Sequence, residues 1–325
     1  MFTRTKSKNN DSNITNVSKK FSQVLSFSLV LFFSASFPLK CLATLKVGVT
    51  LHPYYSYVKN IVGDRAEVMP LVKAGFNPHA YKLSPADLSR LKEMNAIVVN
   101  GIGHDEFAIE VLDRLSLPNL TVIQANESVP LLSNPEGTKH NPHTFVSIDA
   151  TIRQLYTIAR KLAKLDPENG KFFQRNALVY AKKLRKIKNQ ALQKITSLDL
   201  SRIRIASTHN AYGYLLQEFG MTVSAVVEPA HGVSPSASQL QSTINKIRKA
   251  KVHILFTELN MANKYIDVIE KETQSRLYHF SHMTYGEYRN DLVVEDMRHN
   301  LTTLVEALQY AASHLDISTT NVRVL

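Results

Sequence analysis

The sequence predicts an α/β protein of two lobes, each a mainly parallel, roughly four-stranded sheet with flanking helices, joined by one long backbone helix. Three observations carry this. In the first half, β-rich runs alternate with amphipathic helical runs, the pattern of a parallel sheet covered on both faces. The same alternation resumes near residue 203. Between the two halves lie about fifty residues with helical periodicity and no strand-like run.

Each element follows from local pattern. LKVGVTL (45–51) alternates as a strand, YYSYVKNIV reads helical until GDR breaks it, and AEVMPLV (66–72) is a second strand. A loop with Gly75, Asn77 and Pro78 leads into a helix from about Ser84 to Met94. AIVVN (96–100) reads as a strand buried on both faces and ends at GIG. FAIEVLDRL is a helix and LTVIQA (120–125) a fourth strand. From Ile148 the chain is helical, with a break at DPENG. The piece from Glu168 to Ser197 would span about 45 Å at the helical rise. Its Phe173, Ala177, Tyr180, Leu184, Ile187 and Ala191 make one apolar stripe, suited to a strut between lobes. IRIAST (203–208), TVSAVV (222–227), VHILFT (252–257) and RLYHF (276–280) are the second set of strands. Helices at 212–219, 236–249 and 261–273 separate them, and a last helix runs from about Asp291 to His314. The expected divisions are a signal peptide (1–43), an N-terminal lobe (44–165), a connecting helix (166–200) and a C-terminal lobe (201–325).

The leader is read from its layout: a polar, basic stretch over 1–20, an apolar run from Val24 to Phe37, then Cys41-Leu42-Ala43. This run of 14 residues falls short of a membrane span of roughly 20. Cleavage after Ala43 and a periplasmic location are therefore expected, ahead of an uncleaved membrane anchor. A lipid anchor on Cys41 is the weaker option, since PLK before it lacks the small residue of a lipobox. Cys41 is the only cysteine, so a chain starting at Thr44 has neither disulfides nor thiolate ligands. The net charge of +12 would suggest nucleic acid, but residues 1–43 hold six Lys/Arg and one Asp, leaving +7. Much of that lies in KKLRKIKNQALQK, which reads as a solvated helix face, and no nucleic-acid-binding motif is present.

Position sorts the twelve histidines. In open α/β sheets ligands bind beyond the carboxyl ends of the strands. His79 follows the second strand, His209 the fifth and His282 the eighth, while His143 occupies a Pro-bearing turn before a helix. Two come from each lobe, so facing lobes would bring them together in the cleft between them. Neutral imidazoles in such a set suit a divalent metal. An all-nitrogen or N₃O site leans toward Zn²⁺, whereas Mn²⁺ prefers more oxygen and more ligands. Taken singly, each is as well explained as a capping or loop histidine. Glu258, His231, His52 and His104 form a second tier of metal or cleft residues, with Glu258 the best oxygen donor. His253, His299 and His314 read as structural, His279 as packed and His140 as loop.

Several ordered blocks then resemble the periplasmic metal-binding proteins of bacterial zinc and manganese ABC importers. They are GDRAEVMPLVKAGFNPHAYKLSPADLSRLKEMNAIVVNGIG, NPHTFVSIDA, DPENGKFFQRNALVYAKKL, THNAYGYLLQEFGM and MRHNLTTLVEAL, covering about Leu45 to Leu308. The resemblance implies two lobes on a helical backbone, little hinge motion, and metal ligands at His79, His143 and His209. For the fourth ligand many relatives carry an acid, where this chain offers His282. The His/Asp-rich loop of many zinc members is missing, which keeps Mn²⁺ or Fe²⁺ as alternatives to Zn²⁺. The expected function is capture of a divalent metal and delivery to a cognate ABC permease in the inner membrane, by a monomer without enzyme activity. The readings of another class are a secreted metal-dependent hydrolase, with Glu228 or Glu258 as base, and a surface adhesin. Neither H-E-x-x-H nor G-x-S-x-G occurs in the chain.

Overall fold

The computed structural model describes residues 44–74, 81–115, 117–133, 140–227, 234–259 and 264–320, with the side chains of 264 and 316–320 excepted. The leader expected over 1–43 and the candidate residues His79 and His231 lie outside this set.

Valine, isoleucine and alanine dominate the strands, as a pleated surface packed on both sides requires. In the first lobe β1 (Leu45–Val49), β2 (Ala66–Pro70), β3 (Ala96–Val99) and β4 (Thr121–Gln124) pair in the order β2-β1-β3-β4. In the second, β5 (Ile205–Ser207), β6 (Val223–Val226), β7 (Ile254–Glu258) and β8 (Arg276–Phe280) pair as β6-β5-β7-β8. Every pairing is parallel. Inner strands β3 and β7 are wholly buried, while the edge strands β4 and β8 retain exposed residues. The two sheets thus have the expected architecture and share one strand order. Where that order reverses, between β1 and β3 and between β5 and β7, the connections diverge and open a crevice at the carboxyl ends.

The helices are α1 (His52–Val62), α2 (Pro85–Glu93), α3 (Glu106–Arg114), α4 (Ile148–Leu165) and α5 (Gly170–Ile195). Then come α6 (Gly213–Gln217), α7 (Ala237–Ala250), α8 (Lys264–Thr273) and α9 (Leu292–Thr320). Ser84 starts α2 through a reciprocal capping box with Asp87, and Ser236 starts α7 in the same way with Gln239. The 26 residues of α5 span about 39 Å, less than expected, because the break at DPENG extends through Asn169. α9 runs past the expected end at His314. It packs along α5 and reaches α1, so the spine of the molecule has two helices. One continuous apolar core includes Val49 of β1, Phe145, Leu184 of α5, Phe256 of β7 and Leu304 of α9. Smaller clusters lie under α2 and α3 and under α7 and α8.

Polar contacts join the lobes on both sides of the cleft. Beside α6, Glu218 accepts from the Ser147 hydroxyl and, at 3.0 Å, from the Asp149 amide, and Lys188 of α5 lies 3.0 Å from the same carboxylate. Glu218 of the second sheet's lobe therefore caps α4. Across the cleft, the segment after β8 reaches α1: Ser56 Oγ donates to Asn290 O at 2.7 Å and Asn60 Nδ2 to the same carbonyl at 2.6 Å. His52 Nε2 donates to Gly286 O at 3.0 Å, and its ring stacks on Tyr288 with centroids 4.1 Å apart. The Tyr288 hydroxyl in turn donates to Val72 O at 2.8 Å. Burial pushes the His52 pKa down to about 4.

Leu184→Ala, in the shared core, is expected to cost about 2–5 kcal/mol in chemical denaturation. Leu178→Ala, on the 57% exposed face of the same helix, should change stability by less than about 0.5 kcal/mol. Because the folded-state pKa of His52 lies below the unfolded value near 6.5, its contribution is complete above pH 6.5 and lost as pH falls toward 4. Denaturation between pH 7 and 4 should therefore show a steeper loss in the wild type than in His52→Phe, the difference approaching one proton.

Candidate metal centre

Burial separates the described histidines. His140, His279, His299 and His314 are exposed and His253 is half-buried. His279, expected to be packed, faces solvent because β8 is an edge strand, and its carbonyl accepts from His299 Nε2 at 3.0 Å. His253 stands just before β7 rather than within it, and its Nδ1 accepts from the Arg204 amide at 3.0 Å. His52, His104, His143, His209 and His282 are buried. All but His52 gather at the carboxyl ends of the two sheets.

His143 precedes a short 3₁₀ turn (Thr144–Val146) that leads into α4. Asn141 Oδ1 accepts from its backbone amide at 3.0 Å and from its ring Nδ1 at 2.8 Å. The other end of that amide donates to Asn210 O at 2.7 Å, which fixes its orientation and leaves Nε2 of His143 as the lone-pair nitrogen. His209 lies in a turn after β5, four residues before α6 begins. Its Nδ1 meets Glu258 Oε1, at the end of β7, at 2.7 Å. β5 and β7 are the strands flanking the reversal of order in the second sheet, which is why these two residues meet. Burial lowers the His209 pKa to about 3, so the ring is neutral. His282 follows β8, with its Nδ1 2.7 Å from the Thr284 hydroxyl.

The result is a close cluster of imidazoles. His143 Nε2 and His209 Nε2 are 3.1 Å apart, and ring centroids lie at 4.9 Å (His143–His209), 5.1 Å (His143–His282) and 5.2 Å (His209–His282). An ion bound at about 2.0–2.1 Å through each nitrogen would lie about 3.2 Å from each centroid, and these separations would subtend about 100–110° there. The three rings can hold one divalent ion. Glu258 Oε1 lies against His209 Nδ1, on the side of the ring away from His143.

Of the second tier, Glu258 and His104 join the cluster. His104 follows β3 and comes within 4.5 Å of the His143 ring and 5.7 Å of His282, centroid to centroid. His52 lines the interface between lobes without joining. Asn141, Thr284 and Asn100, which hold the histidines in place, are not singled out by sequence reasoning. Their signal is faint: an amide two residues before one histidine, a hydroxyl two residues after another, and a buried Asn at a strand end.

Comparison with known proteins identifies the family. Residues 47–307 match the family model described as "Zinc-uptake complex component A periplasmic". The solute-binding protein FpvC of Pseudomonas aeruginosa, solved with Ni²⁺, is 48% identical, with a TM-score of 0.78 over 82% of this chain and 97% of that one. FpvC has also been solved with Mn²⁺. PsaA of Streptococcus pneumoniae, a manganese ABC transporter substrate-binding lipoprotein, is 25% identical over 276 residues, covering 81% of this chain and 89% of PsaA. A Mn-bound periplasmic metal-binding protein of Candidatus Liberibacter asiaticus, 22% identical with a TM-score of 0.72, shares the fold. The chain belongs to the family of periplasmic metal-binding proteins that serve ABC importers.

Proposed function

We propose that this protein captures a divalent transition-metal ion between its lobes, outside the cytoplasm, and delivers it to a cognate ABC permease in the inner membrane. The observation that carries the reading is the pair of Nε2 atoms of His143 and His209 facing each other at 3.1 Å, with each Nδ1 set against its own acceptor. At that distance the two nitrogens either share one proton or face a cation set between them. His143, His209 and His282 are the proposed ligands of the described centre, and His79, from the loop after β2, is proposed to complete it. The nitrogen-rich set supports zinc as cargo. The Mn²⁺ and Ni²⁺ bound by FpvC, and the manganese in the name of PsaA, support manganese or iron as the alternative. We further propose residues 1–43 as the export signal. The lipoprotein names of the streptococcal relatives favour Cys41 as a lipid attachment point more than its flanking residues do.

A hydrolase would need a carboxylate facing a metal-bound water. Glu258, the described candidate, lies against His209 Nδ1 instead, in the place of a ligand-orienting group. Binding without catalysis is the better reading.

Calorimetric titration of the protein without its first 43 residues should find one ion per chain for Zn²⁺ or Mn²⁺. His209→Ala should weaken that binding by more than about 100-fold. Absence of binding, or an unchanged affinity in His209→Ala, would sink the proposal. The pH dependence is a second check. Exposed imidazoles would release the ion as they protonate near pH 6.5. Burial lowers the His209 pKa to about 3, so loss of the ion in equilibrium dialysis between pH 7 and 5 should not follow the titration of that ring.

A further inference from the structure

The outward face of α5 carries a pattern that neither the core nor the metal centre uses. The helix buries the stripe through Phe173, Tyr180, Leu184 and Ala191. On the opposite side Lys171, Arg175, Leu178, Lys182 and Lys186 follow one another at spacings of four and three, all of them exposed. They form one row about 22 Å long. Leu178 and its neighbour Val179 stand in the middle of it, 57% and 61% exposed.

The charge along this face has one sign. α5 holds eight Lys/Arg and no acid. Residues 148–195 together hold twelve Lys/Arg and three acids, so this side of the molecule accounts for the whole positive charge left after residue 43. Lys188 pairs with Asp149 and Glu218, and Arg185 donates to the Tyr156 hydroxyl at 3.1 Å. Among the described residues no carboxylate pairs with Lys171, Arg175, Lys182 or Lys186. A face that needs only water gains from alternating signs. Like charges four apart, as in Lys171/Arg175 and Lys182/Lys186, weaken a helix until a counter-charge relieves them.

An acidic protein or a nucleic acid would relieve the cations but would leave Leu178 and Val179 against polar groups. An anionic lipid surface satisfies both. Lysine and arginine stems can reach phosphates while the apolar pair enters the boundary below the headgroups. The geometry of the chain fits as well. Leu45 pairs with Ala66, and the guanidinium of the neighbouring Arg65 lies 5.7 Å from the centre of the Phe172 ring, at the start of α5. A tether in the residues before Leu45 would therefore act at this end of the helix.

We propose that the outward face of α5 docks the protein on an anionic phospholipid surface, with Leu178 and Val179 as the inserted residues and the surrounding cations on lipid phosphates. Two apolar side chains and one row of cations make a weak, reversible contact. The proposal stands apart from metal capture, since α5 carries no histidine.

The main core lies within residues 47–312, and residues 43–325 form a compact unit by themselves, so the chain from residue 44 is the form to test. Flotation should recover it with vesicles of phosphatidylcholine and phosphatidylglycerol, and not with phosphatidylcholine alone. Raised salt should release it. Arg175→Gln/Lys182→Gln/Lys186→Gln should bind the anionic vesicles more than about tenfold less tightly. Leu178→Ser/Val179→Ser, with its charge unchanged, should lose several-fold. A fluorophore on Val179→Cys, the single thiol of this form, should shift to the blue on the anionic vesicles. Both multiple variants should keep the wild-type affinity for Zn²⁺, which separates this contact from the metal site. If the glutamine variant does not fold, the salt dependence of the wild type reads the same contact. No binding, equal binding to both vesicle types, or binding insensitive to salt would overturn the proposal. Loss in the glutamine variant alone, with the serine variant and the fluorophore unmoved, would assign the face to soluble polyanions and overturn it too.

Discussion

The centre depends on which nitrogen each imidazole turns inward. A histidine offers two, and the partner of the outer one decides which faces the cleft. Asn141, Glu258 and Thr284 perform this selection, each beside a different ring nitrogen. Their own orientations come from the fold. Asn141 is held by the carbonyl of Asn210, next to His209, so an acceptor in the first lobe is aimed by the backbone of the second. The ring orientations on the two sides of the cleft are therefore not independent.

That dependence explains the rest of the architecture. Rings from two lobes that meet in one cluster need a frame that does not drift. The core running from β1 through α5 and α9 to β7 supplies it. The polar contacts at Glu218 on one side and at Gly286 and Asn290 on the other hold the cleft walls at a set spacing. Burial lowers the pKa of His209, so that a cation meets a neutral ring there.

Much of this was legible in the sequence, for reasons that differ by element. The strands were readable because their branched residues form short runs with turn signals after them. The long helix was readable from the stripe Phe173 to Ala191, whose spacing survives in the buried face of α5. His143, His209 and His282 stood out because strand ends and proline turns are local features. The low rank of His104 has a physical cause: its place in the cluster depends on a left-handed turn and on Asn100 bridging to Pro142, a contact 42 residues apart in the chain. The exposed setting of His279 depends on β8 being an edge, and strand order is a tertiary property. The pairing of α9 with α1 is equally remote from any local pattern.

That last contact bears on how the chain acquires its shape. α1 is the first helix of the described chain, yet the carbonyls that accept from His52, Ser56 and Asn60 belong to residues 286 and 290. α9, which covers α1 and α5, comes later still. Contacts so distant in sequence pay their loop-closure entropy late, and they slow folding. The amino-terminal lobe emerges from the ribosome long before the segment that secures it. A chain built this way stays uncommitted until it is nearly complete, the state in which a polypeptide can still be threaded through a membrane pore.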